Sequence, residues 1–205
     1  GDFRNDRFHG KGKLNWSDGG VYEGDFFEGE INGKGVYTDH ECYYEGEMLN
    51  GKKHGTGKIV YKISHESYQG MFKHDKKEGH GIYKFKDQSV YEGQFVDDKK
   101  QGKGELRFAN GMKYDGYFKD GVFHGKGIIE MKEGLFECSF EENAANGEGW
   151  MEFKNKDKLI AQYRDNMKIG PVALYTEQKG KTQVYKGEFS YNVENIEKAD
   201  FGSRL

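Results

Sequence analysis

The sequence predicts an all-β fold: an elongated, twisted single-layer antiparallel sheet of tandem β-hairpins, forming a solenoid-like rod. Three observations carry this. Glycine pairs one residue apart recur about every 23 residues, at Gly10/Gly12, Gly33/Gly35, Gly55/Gly57, Gly79/Gly81, Gly102/Gly104, Gly125/Gly127 and Gly147/Gly149. Between them stand triplets that open on an aromatic residue and close on glycine: Tyr22-Glu23-Gly24, Tyr44-Glu45-Gly46, Tyr68-Gln69-Gly70, Tyr91-Glu92-Gly93 and Tyr114-Asp115-Gly116, with Phe136-Glu137-Cys138 as a variant. Around both motifs, apolar and polar side chains alternate. A fixed period in this range marks a repeat architecture, whose units contact only their neighbours in the stack.

Each element follows from that register. The triplet glycine recurs as Gly1, Gly24, Gly46, Gly70, Gly93, Gly116, Cys138, Ala161 and Gly187, and two residues after each comes an apolar side chain, from Phe3 and Phe26 to Tyr163 and Phe189. The first strand of a unit is thus aromatic-x-Gly-x-apolar, with its apolar set on one face. A polar turn of four to seven residues follows, such as Val96-Asp97-Asp98-Lys99-Lys100. The second strand then alternates after the glycine pair, through Leu14 and Trp16, Ile59 and Tyr61, Tyr83 and Phe85, Leu106 and Phe108, Ile129 and Met131, and Met151 and Phe153. A short turn such as Ala109-Asn110-Gly111 leads into the next triplet. Each unit reads as a β-hairpin, and successive hairpins pair into one sheet.

The glycines have a packing reason. Inside a strand, glycine weakens pairing but leaves room for a ring from the adjacent strand. Tyr and Phe of one strand are expected to lie over Gly-x-Gly of its neighbour. On the opposite face the acids Glu23, Glu45, Glu92 and Glu137 are expected to alternate with Lys11, Lys34, Lys103 and Lys126 as a solvated charge ladder. Each cross-strand pair of that kind contributes about 0.2–1 kcal/mol. A single layer leaves its ring-bearing face incompletely covered, so that face is the expected interaction surface.

Composition narrows the function classes. Apolar content is 34%, yet aromatics reach 15%, which argues for a folded chain because disordered segments are poor in aromatics. The lone proline, Pro171, excludes collagen-like and proline-rich spacers. A net charge of −3 arises from interspersed charges with no basic stripe, so nucleic acid is not an expected partner. Cys42 and Cys138 are too few for a disulfide framework and suit a reducing cytoplasm. Neither a signal peptide nor a long apolar run occurs. Because Gly1-Asp2-Phe3 matches the middle of a repeat (compare Gly24-Asp25-Phe26), the chain reads as a piece of a longer protein.

These units resemble MORN (membrane occupation and recognition nexus) repeats, whose pattern is roughly Tyr-Glu-Gly-x-Phe/Trp, a turn, then His/Asn-Gly-x-Gly. Matching stretches are Tyr22-Glu23-Gly24-Asp25-Phe26 with Asn32-Gly33-Lys34-Gly35, Tyr91-Glu92-Gly93-Gln94-Phe95 with Gln101-Gly102-Lys103-Gly104, and Tyr114-Asp115-Gly116-Tyr117-Phe118 with His124-Gly125-Lys126-Gly127. The array is expected over 1–189 as about eight repeats, the first truncated, with 190–205 as a cap or tail. Departures gather toward the C-terminus: Cys138 replaces a triplet glycine, Leu159-Ile160-Ala161 replaces a triplet, and Ile169-Gly170-Pro171-Val172 loses a second glycine. Terminal repeats are often atypical caps, and Val193, Ile196 and Ala199 have the spacing of a short capping helix. The resemblance implies a non-enzymatic scaffold in a cytoskeletal, ciliary or membrane-proximal setting, with partners such as a myosin tail.

No residue constellation announces catalysis. His9, His54 and His124 occupy equivalent positions in separate repeats and do not converge as metal ligands must. The glycine pairs match neither GxGxxG nor a P-loop, and no nucleophile, base and orienter come together. The expectation is therefore no enzyme, no cofactor and no metal. The ring-lined face is instead expected to bind a helix or extended peptide along a concave groove. Its candidate residues are Tyr44, Tyr68, Phe72, Tyr91, Phe95, Phe108, Tyr114 and Phe118, from the most regular repeats. Two alternatives stand beside this reading: weak binding to anionic lipid through Lys52-Lys53, Lys73 and Lys76-Lys77, and homodimer or filament formation, either groove to groove or through open strand edges.

Overall fold

The computed structural model describes residues 1–178 and 181–187, and every regular element among them is a β-strand. They fall into two compact units that divide between Lys99 and Lys100. The first unit holds β1 (Phe3–Arg4), β2 (Arg7–Phe8), β3 (Gly10–Asn15), β4 (Val21–Phe27), β5 (Glu30–Thr38), β6 (Cys42–Leu49), β7 (Lys52–Tyr61), β8 (Ser67–Lys73), β9 (Lys76–Lys84) and β10 (Val90–Val96). The second opens with β11 (Lys99–Arg107) and continues through β12 (Lys113–Lys119), β13 (Val122–Met131), β14 (Gly134–Glu141), β15 (Ala144–Phe153), β16 (Lys158–Arg164), β17 (Met167–Gln178) and β18 (Lys181–Gly187). β1 and β2 pair only with each other, as a separate two-stranded sheet, and within each unit the remaining strands pair antiparallel in chain order, as the hairpin period predicts. The capping helix expected near Val193, Ile196 and Ala199 lies outside the described residues, as does the 189/190 boundary.

The hairpin turns are tighter than the four to seven residues expected. Each is a two-residue turn with both residues at positive φ: Glu28-Gly29, Asn50-Gly51, His74-Asp75, Asp97-Asp98, Asp120-Gly121, Glu142-Asn143 and Asp165-Asn166. That is the geometry of a type I′ turn, whose twist matches the flanking strands. Glycine, Asn and Asp tolerate it best, which is why those residues recur there. The neighbouring lysines, read as part of the loop, instead begin the next strand.

The two glycines of each pair do different work. The first is at positive φ in every pair, between 59° at Gly55 and 108° at Gly33. There the hairpin register shifts: Gly24 faces Gly35 but Phe26 faces Ile31, so Asn32, Gly33 and Lys34 stand against Asp25 alone. The same shift recurs between β6 and β7, β8 and β9, β12 and β13, and β14 and β15. Such a bulge bends the strand sharply. The second glycine is a floor for a ring. A Cβ on Gly35, Gly57, Gly81 or Gly127 would fall within 3.0 Å of the ring of Tyr22, Tyr44, Tyr68 or Tyr114 respectively. The ring-over-glycine expectation therefore holds for the second glycine and not the first.

The bend completes a core that a flat sheet could not. Tyr22, Tyr44, Tyr68, Tyr91 and Tyr114 are all fully buried, and each donates its hydroxyl to the carbonyl three residues on, from Tyr44 Oη to Glu47 O at 2.7 Å up to Tyr22 Oη to Asp25 O at 3.1 Å. Those carbonyls stand opposite the bulge, where the ladder is interrupted, so the tyrosine satisfies an acceptor that would otherwise be stranded. The rings of Tyr22, Tyr68, Tyr91 and Tyr114 meet the Phe two positions past their glycine edge-on, as in Tyr68–Phe72 at 5.1 Å and 89°, while Tyr44, followed by Met48, meets Phe72 edge-on instead. Next to the turns, Lys53 and Lys77 reach over Tyr44 and Tyr68, their ammonium groups 5.8 Å from the ring centroids. Lys100 does the same over Phe118 at 5.5 Å, and burial pulls its ammonium down to about 8.

Candidate functional site

Seven of the eight groove candidates belong to that interior. Tyr44, Tyr68, Phe72, Tyr91, Phe95, Tyr114 and Phe118 are each at most 4% exposed, while Phe108 is half-buried. The triplet rings and their Phe partners thus shape the ring face from within, because the bulge folds lysine stems and turn residues over them. Partly accessible on this face is the row four residues after each second glycine, Trp16, Tyr61 and Phe85 in the first unit and Phe108, Met131 and Phe153 in the second, beside the half-buried Leu14, Tyr37 and Tyr83. Sequence reading placed these on the ring-bearing face and named only Phe108 among them as a groove candidate. Their position at the strand end, beyond the row that the bulge covers, was the signal that separates them.

One position breaks the row. In the second hairpin Asp39 stands where the other repeats carry a ring or methionine. Its Oδ1 accepts from the N–H groups of Glu41 and Cys42 at 2.8 and 2.7 Å, and its Oδ2 accepts from Tyr37 Oη at 2.9 Å. Although burial opposes its charge, these hydrogen bonds hold the carboxyl below its usual range. Tyr37 is pushed up to about 12, first by burial and then by Asp39. Further along the first unit, burial and Glu66 raise the Tyr83 phenol well above its ordinary value.

The concavity of the first unit lies on the charged face. A trough of about 1240 Å³ is lined by Gly12, Gly24, Gly35, Gly46, Gly57 and Gly70 and by mostly polar side chains, with Val36 and Met71 among them. Its charges largely satisfy one another: Lys11 Nζ lies 2.6 Å from Asp25, Lys13 Nζ lies 3.4 Å from Glu23, and Thr56 donates its hydroxyl to Glu47 at 2.6 Å. The ladder differs from expectation by one register step. Because Gly12 faces Gly24 and Gly35 faces Gly46, Lys11 and Lys34 stand opposite Asp25 and Glu47, not opposite the triplet acids. In the second unit the same face turns apolar, since Ile128 faces Glu137, which faces Trp150, which faces Ile160.

The lysines considered for lipid binding are partly committed. Lys53 pairs with Asp75 at 3.3 Å, Lys76 with Asp97 at 2.9 Å and Lys77 with Asp98 at 3.1 Å. His54 lies tilted against His74 with centroids 5.2 Å apart, and no three His, Cys, Asp or Glu among the described residues converge as a metal set. Both cysteines are free thiols. No helix among the described residues is long and apolar enough to cross a membrane.

Geometry defines the class first: an antiparallel β-hairpin repeat array with a tyrosine–glycine seam. The MORN repeat profile matches seven segments, residues 1–21, 22–40, 44–64, 68–90, 91–113, 114–135 and 139–158. The chain belongs to the MORN repeat family. Among curated proteins it is similar to rat alsin, at 37% identity over 82 residues, and to human alsin, at 35% over 82 residues. Those matches cover 37% of this chain and 5% of alsin, so the chain spans a small part of that relative's length. Among solved structures it aligns with the SAS-4 (dCPAP) TCP domain of Drosophila melanogaster in complex with a proline-rich motif of Ana2, with TM-score 0.38 and 11% identity, over 85% of this chain and 88% of that one.

Proposed function

We propose that this array is a non-enzymatic docking module that binds a protein segment, helical or extended, across the ring face. The observation that carries the reading is a row of partly accessible apolar side chains within each unit, Trp16, Tyr61 and Phe85 in the first and Phe108, Met131 and Phe153 in the second, at one position per hairpin except where Asp39 stands. Rings two strands apart present anchors at intervals of about 9.6 Å, which suits a segment laid across the strands. The buried candidates Tyr44, Tyr68, Phe72, Tyr91, Phe95, Tyr114 and Phe118 act by holding those strand ends in place, and Phe108 makes contact directly. The trough on the other face is the weaker surface, because its charges already pair internally at small gain per exposed pair. A cytoskeletal, ciliary or membrane-proximal assembly is the setting that family membership supports.

Selection of a random-sequence peptide library on the immobilised chain tests this. The expected outcome is peptides with spaced apolar anchors whose affinity falls at least tenfold on Phe85→Asp or Phe108→Asp while the circular dichroism of the chain is kept. Peptides indifferent to both substitutions, or preferential sedimentation with anionic vesicles in place of peptide binding, would refute it.

A further inference from the structure

Successive hairpins are tied together at the bulge by a recurring side-chain cap, and one hairpin departs from it. In four hairpins the residue before the first glycine presents an oxygen to the main-chain N–H that opens the next hairpin's turn. Asn32 accepts from Asn50 at 2.9 Å, Glu78 from Asp97 at 3.3 Å, Gln101 from Asp120 at 2.9 Å and Asn146 from Asp165 at 3.2 Å. Between the first two of these pairs, the same two positions hold His54 and His74. An imidazole has no oxygen to give, and His54 Nδ1 is buried with no hydrogen-bond partner. The ring instead lies against that of His74, with centroids 5.2 Å apart and planes at 56°. Buried polar atoms are almost always satisfied, so this nitrogen calls for a partner that the chain itself does not supply.

The surroundings define what that partner is. His54 stands in the bulge of β7, and His74 is the exposed first residue of the β8–β9 turn, at φ 49°. Asp75, the other turn residue, is already taken: its Oδ1 accepts the Lys53 N–H at 2.9 Å and lies 3.3 Å from the Lys53 ammonium. Across the bulge, Glu47 accepts the Thr56 hydroxyl at 2.6 Å. Two imidazoles therefore face each other while the neighbouring carboxylates are engaged elsewhere. Calcium and magnesium take oxygen donors, whereas imidazole nitrogen suits zinc and its first-row neighbours. With Zn–N bonds of about 2.0–2.1 Å, two imidazoles on a tetrahedral ion hold their centroids about 5 Å apart, as these two do.

We propose that His54 and His74 form a two-histidine site for a divalent transition-metal ion of the zinc type, clipping one hairpin to the turn of the next. The ion replaces the missing cap and gives His54 Nδ1 its partner. Solvent fills the ion's remaining positions, because no third His, Cys, Asp or Glu among the described residues joins the pair. Elsewhere in the column, His9 and His124 are matched with Glu28 and Glu142, so two histidines meet at this step alone. Comparing His9, His54 and His124 as equivalents in sequence left out His74, which belongs to the following turn. The site lies at the turn end of the strands, opposite the end that carries Tyr61 and Phe85, and it does not depend on the docking reading.

The test titrates zinc chloride into the full chain while following the imidazole carbon resonances of its seven histidines. The expected result is one equivalent bound saturably, with shifts at His54 and His74 and none at the other five. His54→Gln and His74→Asn bring in the residues that Gln101 and Asn50 already hold in other hairpins, so both variants should fold. Each should bind zinc at least tenfold more weakly than the natural chain and lose the rise in Tm that zinc produces. Without zinc, the Tm of His54→Gln should not fall, because glutamine restores the cap. Zinc that shifts other imidazoles, binds unchanged after either substitution, or fails to saturate overturns the site. Should a variant not fold, the resonances of the natural chain still decide.

Discussion

The two units solve the same seam differently. In the first, Tyr22, Tyr44 and Tyr68 each cover a pair of facing glycines and tie down a carbonyl opposite the bulge with their hydroxyl. The second begins the same way at Tyr114, then changes: Phe136 stands beside Cys138, and Leu159 beside Ala161, all four buried. Phe and Leu have no hydroxyl to give. The room that a tyrosine tip would take is filled from the other side, since a Cβ on Gly149 would meet Cys138 Sγ at 2.9 Å and the Tyr163 ring at 3.0 Å. Losing the hydroxyl and gaining a side chain at the triplet glycine are thus one coupled change. What repeats along the chain is a filled seam, not a fixed motif.

Alkali should separate the units most strongly. Burial raises Tyr22 to about 12 and Tyr44, Tyr68 and Tyr91 higher still, against about 10 in an unfolded chain. With the folded value above the unfolded one, their stabilisation is complete below pH 10 and is lost as pH rises through 10 toward 12 and beyond. Among the described residues of the second unit only Tyr114 is a buried tyrosine at the triplet position, Tyr185 being exposed, with Tyr163 at about 12. It also holds Lys100 at about 8, and a lysine depressed on folding makes stability rise between about pH 8 and the ordinary lysine value. Trp16 and Trp150 lie one in each unit, so emission of the two single-tryptophan variants should show the first unit unfolding at lower pH. Coincident transitions would contradict the comparison.

A methyl group on the glycine floor comes next. Gly57→Ala would drive a Cβ into the Tyr44 ring, whose hydroxyl and neighbours leave it no room, and overpacking of this kind costs about 3 kcal/mol. Gly147→Ala meets nothing nearby, yet it stands at φ 86°, so its smaller cost of about 1–2 kcal/mol is backbone strain alone. Urea unfolding of both variants checks the order. If Gly147→Ala is the more damaging, ring packing is not what the second glycine serves.

Much of this was legible from the residues, and the failures have physical causes. Period-2 alternation placed the ring face of the regular hairpins correctly, because side-chain direction along a strand is fixed by geometry. The bulge was invisible, since a first glycine needed for positive φ and a second needed for space look alike in sequence. From that one omission came the rest: turns judged too long, a ladder set one step out of register, and Tyr68 and Phe95 read as groove lining when they are 0% and 3% exposed. Asp39 was readable as the break in the ring row, but the hydrogen bonds it accepts from Glu41, Cys42 and Tyr37 were not. Phe108 was the single groove candidate on the accessible row.

The coupled change in the second unit predicts a compensating pair. Cys138→Gly leaves a void beneath Phe136 and should cost about 1–2 kcal/mol, as small cavity-forming substitutions do. Phe136→Tyr adds a hydroxyl where Cys138 Sγ already sits, 3.6 Å from Asn146 O and 3.8 Å from Glu148 O, and should cost a similar amount. Together they recreate the Tyr–Gly seam of the first unit, so the double variant should recover most of the loss, with a coupling of about 1–2 kcal/mol by urea unfolding.

The mirror experiment is smaller and sharper. Tyr68→Phe removes only the hydroxyl that donates to Met71 O at 2.8 Å, leaving that carbonyl opposite the bulge without its donor, and should cost about 1 kcal/mol. Adding Gly70→Cys to it will not restore stability as simply as the second unit suggests, because a Cβ at Gly70 would also lie 2.6 Å from Gly81 Cα and 2.7 Å from His80 O. In the second unit the residue facing Cys138 is Gly127, which still lacks a side chain, and the strand after it has been rebuilt around Tyr163. A Tyr68→Phe/Gly70→Cys variant that is less stable than either single change would show that the second solution needs its own neighbours. Full recovery would mean the two seams are interchangeable, repeat for repeat.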